Sequence, residues 1–150
     1  MNFSPKAIRN VCIAALAVIF STSCAAEEWA YLSASKDGKK DFYNPSTVYR
    51  KRDVARIDII VNHAAPFGVD PKKAFLSSMV KWEFDCLNSK GRIYGERKTF
   101  SGLMATGRLI EVFSMPAEYA EKGQQPWLPI RSGTLAAARL QKACGPEAKK

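Results

Sequence analysis

The stretch Phe75-Leu76-Ser77-Ser78-Met79-Val80-Lys81-Trp82-Glu83-Phe84-Asp85-Cys86 alternates with a period of two. One side carries Leu76, Ser78, Val80, Trp82, Phe84 and Cys86, and the other carries Phe75, Ser77, Met79, Lys81, Glu83 and Asp85. Because successive side chains of a strand point to opposite faces of its sheet, this pattern predicts a half-buried strand. We expect this strand to be central, with the first set facing the core.

Five further segments have strand-like composition. They are residues 29–33, 41–43, 54–63, 92–100 and 108–113. An Asp-Gly turn at Asp37-Gly38 separates the first two, as a tight hairpin requires. The segment Ala64 to Lys73 contains two prolines and a glycine and predicts an exposed loop. Residues 115–125 are expected to form an irregular surface excursion.

A single helical pattern follows near the end of the chain. Leu135 to Cys144 is rich in alanine, a strong helix former. Ser132 or Thr134 is placed to cap its first turn, and Gly145-Pro146 ends it. The sequence therefore predicts an α+β fold, in which about six antiparallel strands form a sheet with a C-terminal helix packed on one face.

Residues 1–26 have the three-part pattern of a secretory signal peptide. Lys6 and Arg9 give a basic start, residues 11–20 form an apolar run, and small residues follow as far as Ala26. The run is shorter than the roughly 20 residues of a transmembrane helix, so we expect no membrane span. Cleavage after Ala26 would leave one domain, residues 27–150. Alternatively, Cys24 would be the lipid-bearing first residue of a lipoprotein.

The four cysteines divide between these two parts of the chain. Cys12 leaves with the signal peptide, and Cys24 is either removed or lipidated. Cys86 and Cys144 remain, and an even pair in an exported chain predicts a disulfide. This bond would tie the central strand to the helix. A metal site is disfavoured, because His63 is the only histidine and no Cys-x-x-Cys occurs.

The chain is basic, with a formal net charge of +9, of which +7 remains without residues 1–26. Such a balance favours anionic partners, such as an anionic envelope ligand, acidic glycans or nucleic acid. The alternative is ordinary solvation, because the basic residues fall mostly in turns, strand ends and the tail. The export signal argues against nucleic acid.

Catalytic patterns are missing from the sequence. It has no G-x-S-x-G, phosphate loop or H-E-x-x-H, and no motif for attaching a cofactor. Glu83 and Asp85 share one strand face, where we expect solvation of an outer surface rather than an acid–base pair. His63 ends the core face of its strand, either as a boundary residue or as a ligand or base. We predict that the protein is not an enzyme.

The segment Ala64 to Lys73 offers the only candidate ligand contacts. Phe67 lies in its middle, and Lys72 and Lys73 follow. An aromatic side chain on a loop either binds a partner or folds back over the sheet edge. Both alternatives remain open from the sequence.

Several motifs together resemble the bacterial surface-adhesin protein E family. They are Trp29 with the Asp-Gly turn, F-Y-N-P-S-T-V at 42–48, W-E-F-D-C at 82–86, W-L-P-I at 127–130, and the helix that ends at Cys144. The N-P-S-T-V segment is similar to the family's D-P-S-S-I. The resemblance covers residues 27–147.

The resemblance implies an antiparallel sheet whose terminal helix is tethered by a disulfide. It also implies an exported protein of a Gram-negative envelope, in the periplasm or on the outer surface, with a homodimer possible. Its partners would be host extracellular-matrix or serum proteins. A soluble periplasmic module that binds a small or anionic ligand, or that inhibits an enzyme, is the second hypothesis.

Overall fold

A computed structural model describes residues 28–114 and 126–145. These residues contain nine strands and one α-helix. The strands are β1 (Ala30–Ala34), β2 (Lys40–Tyr43), β3 (Tyr49–Lys51), β4 (Val54–Phe67), β5 (Phe75–Asp85), β6 (Lys90–Ile93), β7 (Arg97–Phe100), β8 (Leu109–Phe113) and β9 (Leu128–Pro129), and the helix is α1 (Leu135–Cys144). Two short 3-10 turns cover Pro45–Thr47 and Pro71–Lys73.

All these strands belong to one antiparallel sheet. Its main path is β1-β2-β4-β5-β6-β9, β3 adds to one end of β4, and β7 pairs with both β5 and β8. Strands β4 and β5 form the centre and pair from Val54↔Asp85 to Phe67↔Phe75. The α+β architecture predicted from the sequence is confirmed.

The core lies on the face of β4 and β5 that helix α1 covers. Ile57 pairs with Trp82, and Ile59 pairs with Val80. Ile57, Ile59 and Phe84 have no exposed surface. Burial of each such side chain contributes roughly 1.5–3 kcal/mol. The alternation in Phe75 to Cys86 therefore selects the face on which the helix packs.

Helix α1 has the predicted bounds. Thr134 is its N-cap, since its hydroxyl oxygen accepts a hydrogen bond from the Ala137 N–H at 3.2 Å. Gly145 ends the helix with a φ of +77°, in the region that favours glycine. Arg50 donates a further hydrogen bond to the Cys144 carbonyl.

Two tethers hold α1 against the sheet. The predicted Cys86–Cys144 disulfide joins the end of β5 to the last residue of the helix. Near the middle of the helix, Arg139 makes a bidentate ion pair with Asp41 of β2, with N···O distances of 2.6 and 3.0 Å. Asp41 is fully buried. The sequence did not predict this ion pair.

Three segments differ from the sequence predictions. Residues 64–67 continue strand β4, so the predicted loop from Ala64 to Lys73 is wrong for its first four residues. Residues 92–100 are not one strand: they break at Tyr94–Glu96 between β6 and β7. Leu128 and Pro129 form the short edge strand β9. These breaks, together with β3, explain why nine strands replace about six.

The face of the sheet opposite α1, here called the outer face, is also partly covered. Residues 101–107 fold over it, and Asn62 accepts a hydrogen bond from the Met104 N–H at 2.8 Å. Ser77 donates to the Gly102 carbonyl at 2.6 Å and accepts from Ala105 N–H at 3.0 Å. Hence Ser77 and Asn62 are buried although they lie on the face opposite α1. For Ser77, this is the side of its strand that was not expected to face the core.

Within the described residues, α1 is too short to cross a bilayer, and no other helix there has the length and hydrophobicity for a membrane span. The predicted signal peptide, Cys24 and the excursion at 115–125 lie outside the described residues.

Candidate binding surface at the hairpin tip

Residues 63–75 comprise the end of β4, the connection to β5 and the first residue of β5, and are here called the hairpin tip. Its backbone is well defined by local contacts. Asp70 caps the 3-10 turn at Pro71–Lys73 by accepting a hydrogen bond from the Lys72 N–H at 2.9 Å. The Phe67↔Phe75 pairing closes the tip after an irregularity between Asn62 and Phe67. The tip is therefore a shaped element and not an open loop.

Three rings pack together at the base of the tip. His63 stacks on Phe67 with ring centroids 4.9 Å apart and an angle of 18° between the planes. Phe75 meets His63 edge-on at 5.2 Å and Phe67 at 5.6 Å. Phe75 is buried, whereas Phe67 keeps 54% of its surface exposed. Phe67 is thus held in place by packing and still offers a ring to a partner.

Val69 is the most exposed large apolar residue of the tip, at 105%. Two apolar side chains, Phe67 and Val69, therefore face solvent within three residues. Scattered exposed apolar residues are ordinary, but exposed apolar groups that lie together mark interaction sites more often.

One lysine from another hairpin lies near Phe67, and two lysines belong to the tip itself. Lys39, from the turn between β1 and β2, places its Nζ 6.0 Å from the centre of the Phe67 ring. Lys72 and Lys73 follow on the 3-10 turn, and Lys73 reaches Glu111 of β8 at 3.7 Å. Of the predicted ligand contacts, Phe67 ends β4, whereas Lys72 and Lys73 lie on the 3-10 turn that follows.

Burial lowers the pKa of His63 below its ordinary value of 6.5, and the nearby Lys39 charge lowers it further. His63 is therefore mainly neutral at pH 7. The neighbouring Asp37 carboxylate accepts hydrogen bonds from Lys39 and Ser35, which lower its pKa to about 2. The interpretation of His63 as a boundary residue fits its ring contacts.

The predicted solvation of Glu83 on the outer face is wrong. Its side chain is only 5% exposed, because Arg56 of β4 and Arg92 of β6 enclose the carboxylate. Arg56 Nε donates to Oε1 at 2.9 Å, and Arg92 Nε donates to Oε2 at 2.7 Å. Asp85 instead accepts hydrogen bonds from Leu87 and Asn88 in the following turn. Glu83 and Asp85 therefore do not form an acid–base pair.

Burial alone would raise the pKa of Glu83, but the hydrogen bonds from Arg92 and Arg56 outweigh it and hold this pKa below the ordinary value of 4.5. Glu83 is thus a permanent anion at neutral pH. Across residues 28–114 and 126–145, no group of three or more histidine, cysteine or acidic side chains could hold a metal ion.

Two residues of this region were not singled out from the sequence. Lys39 reaches the tip only through the fold, because it lies on a different hairpin. Val69 lies within the predicted loop but had no distinguishing pattern. Arg56 and Arg92 could have been found from register, since cross-strand neighbours of an acidic residue on one face are its natural partners.

Comparison with protein families gives a match to surface-adhesin protein E over residues 29–145. The chain belongs to the surface-adhesin protein E family. The match includes every strand and the helix described above. Comparison of the sequence with curated proteins finds no match.

Solved structures of this adhesin family have the same fold. Crystal form II of Haemophilus influenzae protein E superposes with a TM-score of 0.54 at 13% identity, covering 77% of this chain and 86% of that one. The selenomethionine form of the same protein gives a TM-score of 0.52 at 15% identity, covering 77% and 85%. At these identities the likeness concerns the fold.

Proposed function

We propose that this protein is an exported, non-enzymatic adhesin that attaches to host extracellular-matrix or serum proteins through the hairpin tip. The observation that carries the proposal is the pair of exposed apolar side chains, Phe67 and Val69, on an ordered tip where Lys39 lies over the Phe67 ring and Lys72 and Lys73 form part of the 3-10 turn. Membership of the surface-adhesin family supports the general class.

The physical argument rests on preorganisation. Phe67 is already held by His63 and Phe75, so binding would order few additional rotamers. A partly fixed aromatic side chain gives more net binding energy than a mobile one, because less conformational entropy is lost. Lys39, Lys72 and Lys73 would steer an acidic partner surface toward the tip and raise the association rate.

The compartment is part of the same proposal. Residues 1–26 would act as the export signal, and residues 27–150 would form the mature domain. A disulfide between Cys86 and Cys144 persists in oxidising compartments outside the cytosol. Intact mass of the exported protein distinguishes the two routes, because a chain beginning at Glu27 and one beginning at a diacylated Cys24 differ by three residues and the lipid.

Binding is tested with immobilised extracellular-matrix extract and with serum proteins. Val69→Ser and Phe67→Ser should each weaken binding at least about fivefold, since each removes an apolar contact of roughly 1 kcal/mol or more. Tyr31→Ser is the matched control, because Tyr31 is 59% exposed on the edge strand β1, outside residues 63–75. Val69 contacts little in its own fold, so loss of binding there does not reflect unfolding.

Equal binding by Val69→Ser, Tyr31→Ser and the unchanged protein would reject the hairpin tip as the binding surface. Surface labelling of intact cells tests the location independently. Protein found only in the periplasm would reject the adhesin function and favour a soluble module that binds a small or anionic ligand.

A further inference from the structure

A second surface feature lies on the outer face, where the strand pairing is interrupted between β6 and β7. The Tyr94 N–H still bonds to the Lys81 carbonyl at 3.0 Å, and the chain then leaves β5 until Lys98 pairs with Met79. The interruption leaves a cleft of about 300 Å³. Its lining includes Met79, Lys81, Tyr94, Gly95, Glu96 and Lys98.

Arg56 lies at the edge of this cleft in a fixed orientation. Its guanidinium stacks over the Tyr94 ring at 4.8 Å, and its Nε and Nη2 both contact one oxygen of Glu83, at 2.9 and 2.8 Å. The Arg56 side chain remains 46% exposed. One edge of the guanidinium is therefore used by Glu83, while its other N–H groups have no hydrogen-bond acceptor among the described residues.

Arg56 presents a positive charge on this part of the outer face, because its partner Glu83 is buried whereas the Arg56 side chain is half exposed. Lys81 and Lys98 are further cations of the cleft lining, and Glu96 is an acid there. Glu96 lies 3.9 Å from Lys98 in an exposed pair, which is worth at most about 1 kcal/mol and gives way readily to a better partner.

We propose that this cleft binds a segment of a partner protein in which one acidic side chain is flanked by an aromatic or aliphatic residue. The carboxylate would pair with the outward edge of Arg56, which is planar and suits two parallel hydrogen bonds. The neighbouring apolar side chain would enter the cleft beside Met79 and Tyr94.

Preorganisation is the reason to place recognition here. The buried Glu83 carboxylate fixes Arg56 on one side, and Tyr94 supports it from below, so little side-chain entropy is lost when a ligand binds. Arg and Tyr are also the residue types that most often dominate protein–protein binding energy. The site uses none of the hairpin-tip side chains, and its test is independent of theirs.

The experiment is a titration of the isotopically labelled protein, followed by the backbone amide signals of Tyr94 and Gly95. The probe is a short synthetic peptide with a central glutamate between tyrosine and leucine, and its glutamine counterpart is the neutral comparison. We expect the glutamate peptide to shift these signals in a saturable way. The glutamine peptide should bind about tenfold more weakly.

Variants identify the residues responsible. Arg56→Gln should weaken binding of the glutamate peptide about tenfold. It should also abolish the difference in affinity between the glutamate and glutamine peptides. Arg131→Gln is the matched control, because it removes the same charge from an exposed position outside the cleft. Lys81→Gln, which does not contact Glu83, should weaken binding about threefold and provides a test that does not disturb the buried network.

Equal affinity for both peptides, or equal effects of Arg56→Gln and Arg131→Gln, would overturn the proposal. So would saturable shifts of Tyr94 and Gly95 with a heparin fragment or inorganic phosphate but not with the glutamate peptide. In that case the cleft would be a general anion site and not a site for a protein segment.

Discussion

Two buried carboxylates, Asp41 and Glu83, lie on opposite faces of the same sheet and are used in different ways. Asp41 faces α1 and pairs with Arg139, which is 98 residues away in the sequence and only 10% exposed as a side chain. Glu83 faces outward and pairs with Arg56 and Arg92 from the two neighbouring strands. One pair joins two layers of the fold, whereas the other stays within a single layer.

The difference in exposure indicates what each pair can do. Both partners of the Asp41–Arg139 pair are enclosed, so the pair has no group left to offer a ligand. In the Glu83 network the acid is enclosed but Arg56 is half exposed. We infer that the Asp41–Arg139 pair holds helix α1 in place. The Glu83 network instead fixes the orientation of Arg56 at the surface.

Removal of the disulfide should have the largest effect on the helix side. Cys86 and Cys144 are 58 residues apart in sequence, and the chain-entropy model gives about 4 kcal/mol for a loop of that length. The Cys86→Ala/Cys144→Ala double variant should therefore lose about 4 kcal/mol of unfolding free energy, measured by urea titration. The amide signals of residues 135–144 should weaken first, because α1 loses its C-terminal anchor.

A loss of less than about 1 kcal/mol would show that the remaining contacts hold α1 without the covalent bond. Reduced and oxidised samples of the unchanged protein provide a control that alters no side chain.

Asp41→Ala should have the next largest effect. It leaves the Arg139 charge buried without a partner, and loss of one member of a buried ion pair typically costs about 3 kcal/mol or more. Asp41→Ala combined with Arg139→Met should recover most of this loss, because no charge is then left without a partner. A double variant as unstable as the single one would mean that the hydrogen bonds between Asp41 and Arg139 stabilise the fold, in addition to neutralising the two buried charges.

The two carboxylates also show why the sequence predicted one part of the fold and missed another. The alternation in Phe75 to Cys86 assigns each residue of β5 to one face of the sheet. The sequence therefore predicted which side of β5 faces the core and that Cys86 lies on that side. Arg139 lies on an alanine-rich helix, where an exposed arginine is the ordinary expectation. Its burial depends on Asp41, a contact across 98 residues that no local pattern contains.

The candidate site divides in the same way. Phe67, Lys72 and Lys73 were singled out as candidates because an aromatic residue and two lysines lie within one continuous segment. Arg56 and Tyr94 became neighbours only through strand register and the break between β6 and β7. Breaks of this kind are poorly predicted, because residues 92–100 have strand-like composition throughout and the interruption reflects how the chain crosses its neighbours.

Glu83→Gln should lower the free energy of unfolding by about 2 kcal/mol. This loss is smaller than that expected for Asp41→Ala, although the two carboxylates are similarly buried. Hydrogen bonds to charged groups contribute about 1.5–3 kcal/mol, and here the half-exposed Arg56 can recover solvation when its partner loses its charge. Urea titration of both variants under one buffer condition makes the comparison. A larger loss for Glu83→Gln would reverse the inference that the outer network is the less structural one.

The pH dependence of stability separates the contribution of the ionised Glu83 carboxylate from contributions that do not depend on its charge. Because the folded-state pKa of Glu83 is below 4.5, its stabilising contribution is complete above that pH and is lost as the pH falls through the folded-state pKa. The unchanged protein should therefore lose stability more steeply than Glu83→Gln as the pH falls below 4.5. Parallel profiles would show that the Arg56 and Arg92 contacts do not favour the ionised form.

The smallest effect concerns His63, in a pH window where Glu83 remains ionised. Burial and the Lys39 charge lower the folded-state pKa of His63 below 6.5, so its contribution to stability is complete above pH 6.5 and is lost as the pH falls through the folded-state pKa. NMR titration of the imidazole should give a midpoint below 6.5. Phe67→Ser should move this midpoint upward by exposing the ring, whereas Val69→Ser should leave it unchanged, because only Phe67 stacks on His63. An unchanged midpoint in Phe67→Ser would mean that Phe67 does not bury the histidine, and the argument for a preorganised tip would fail with it.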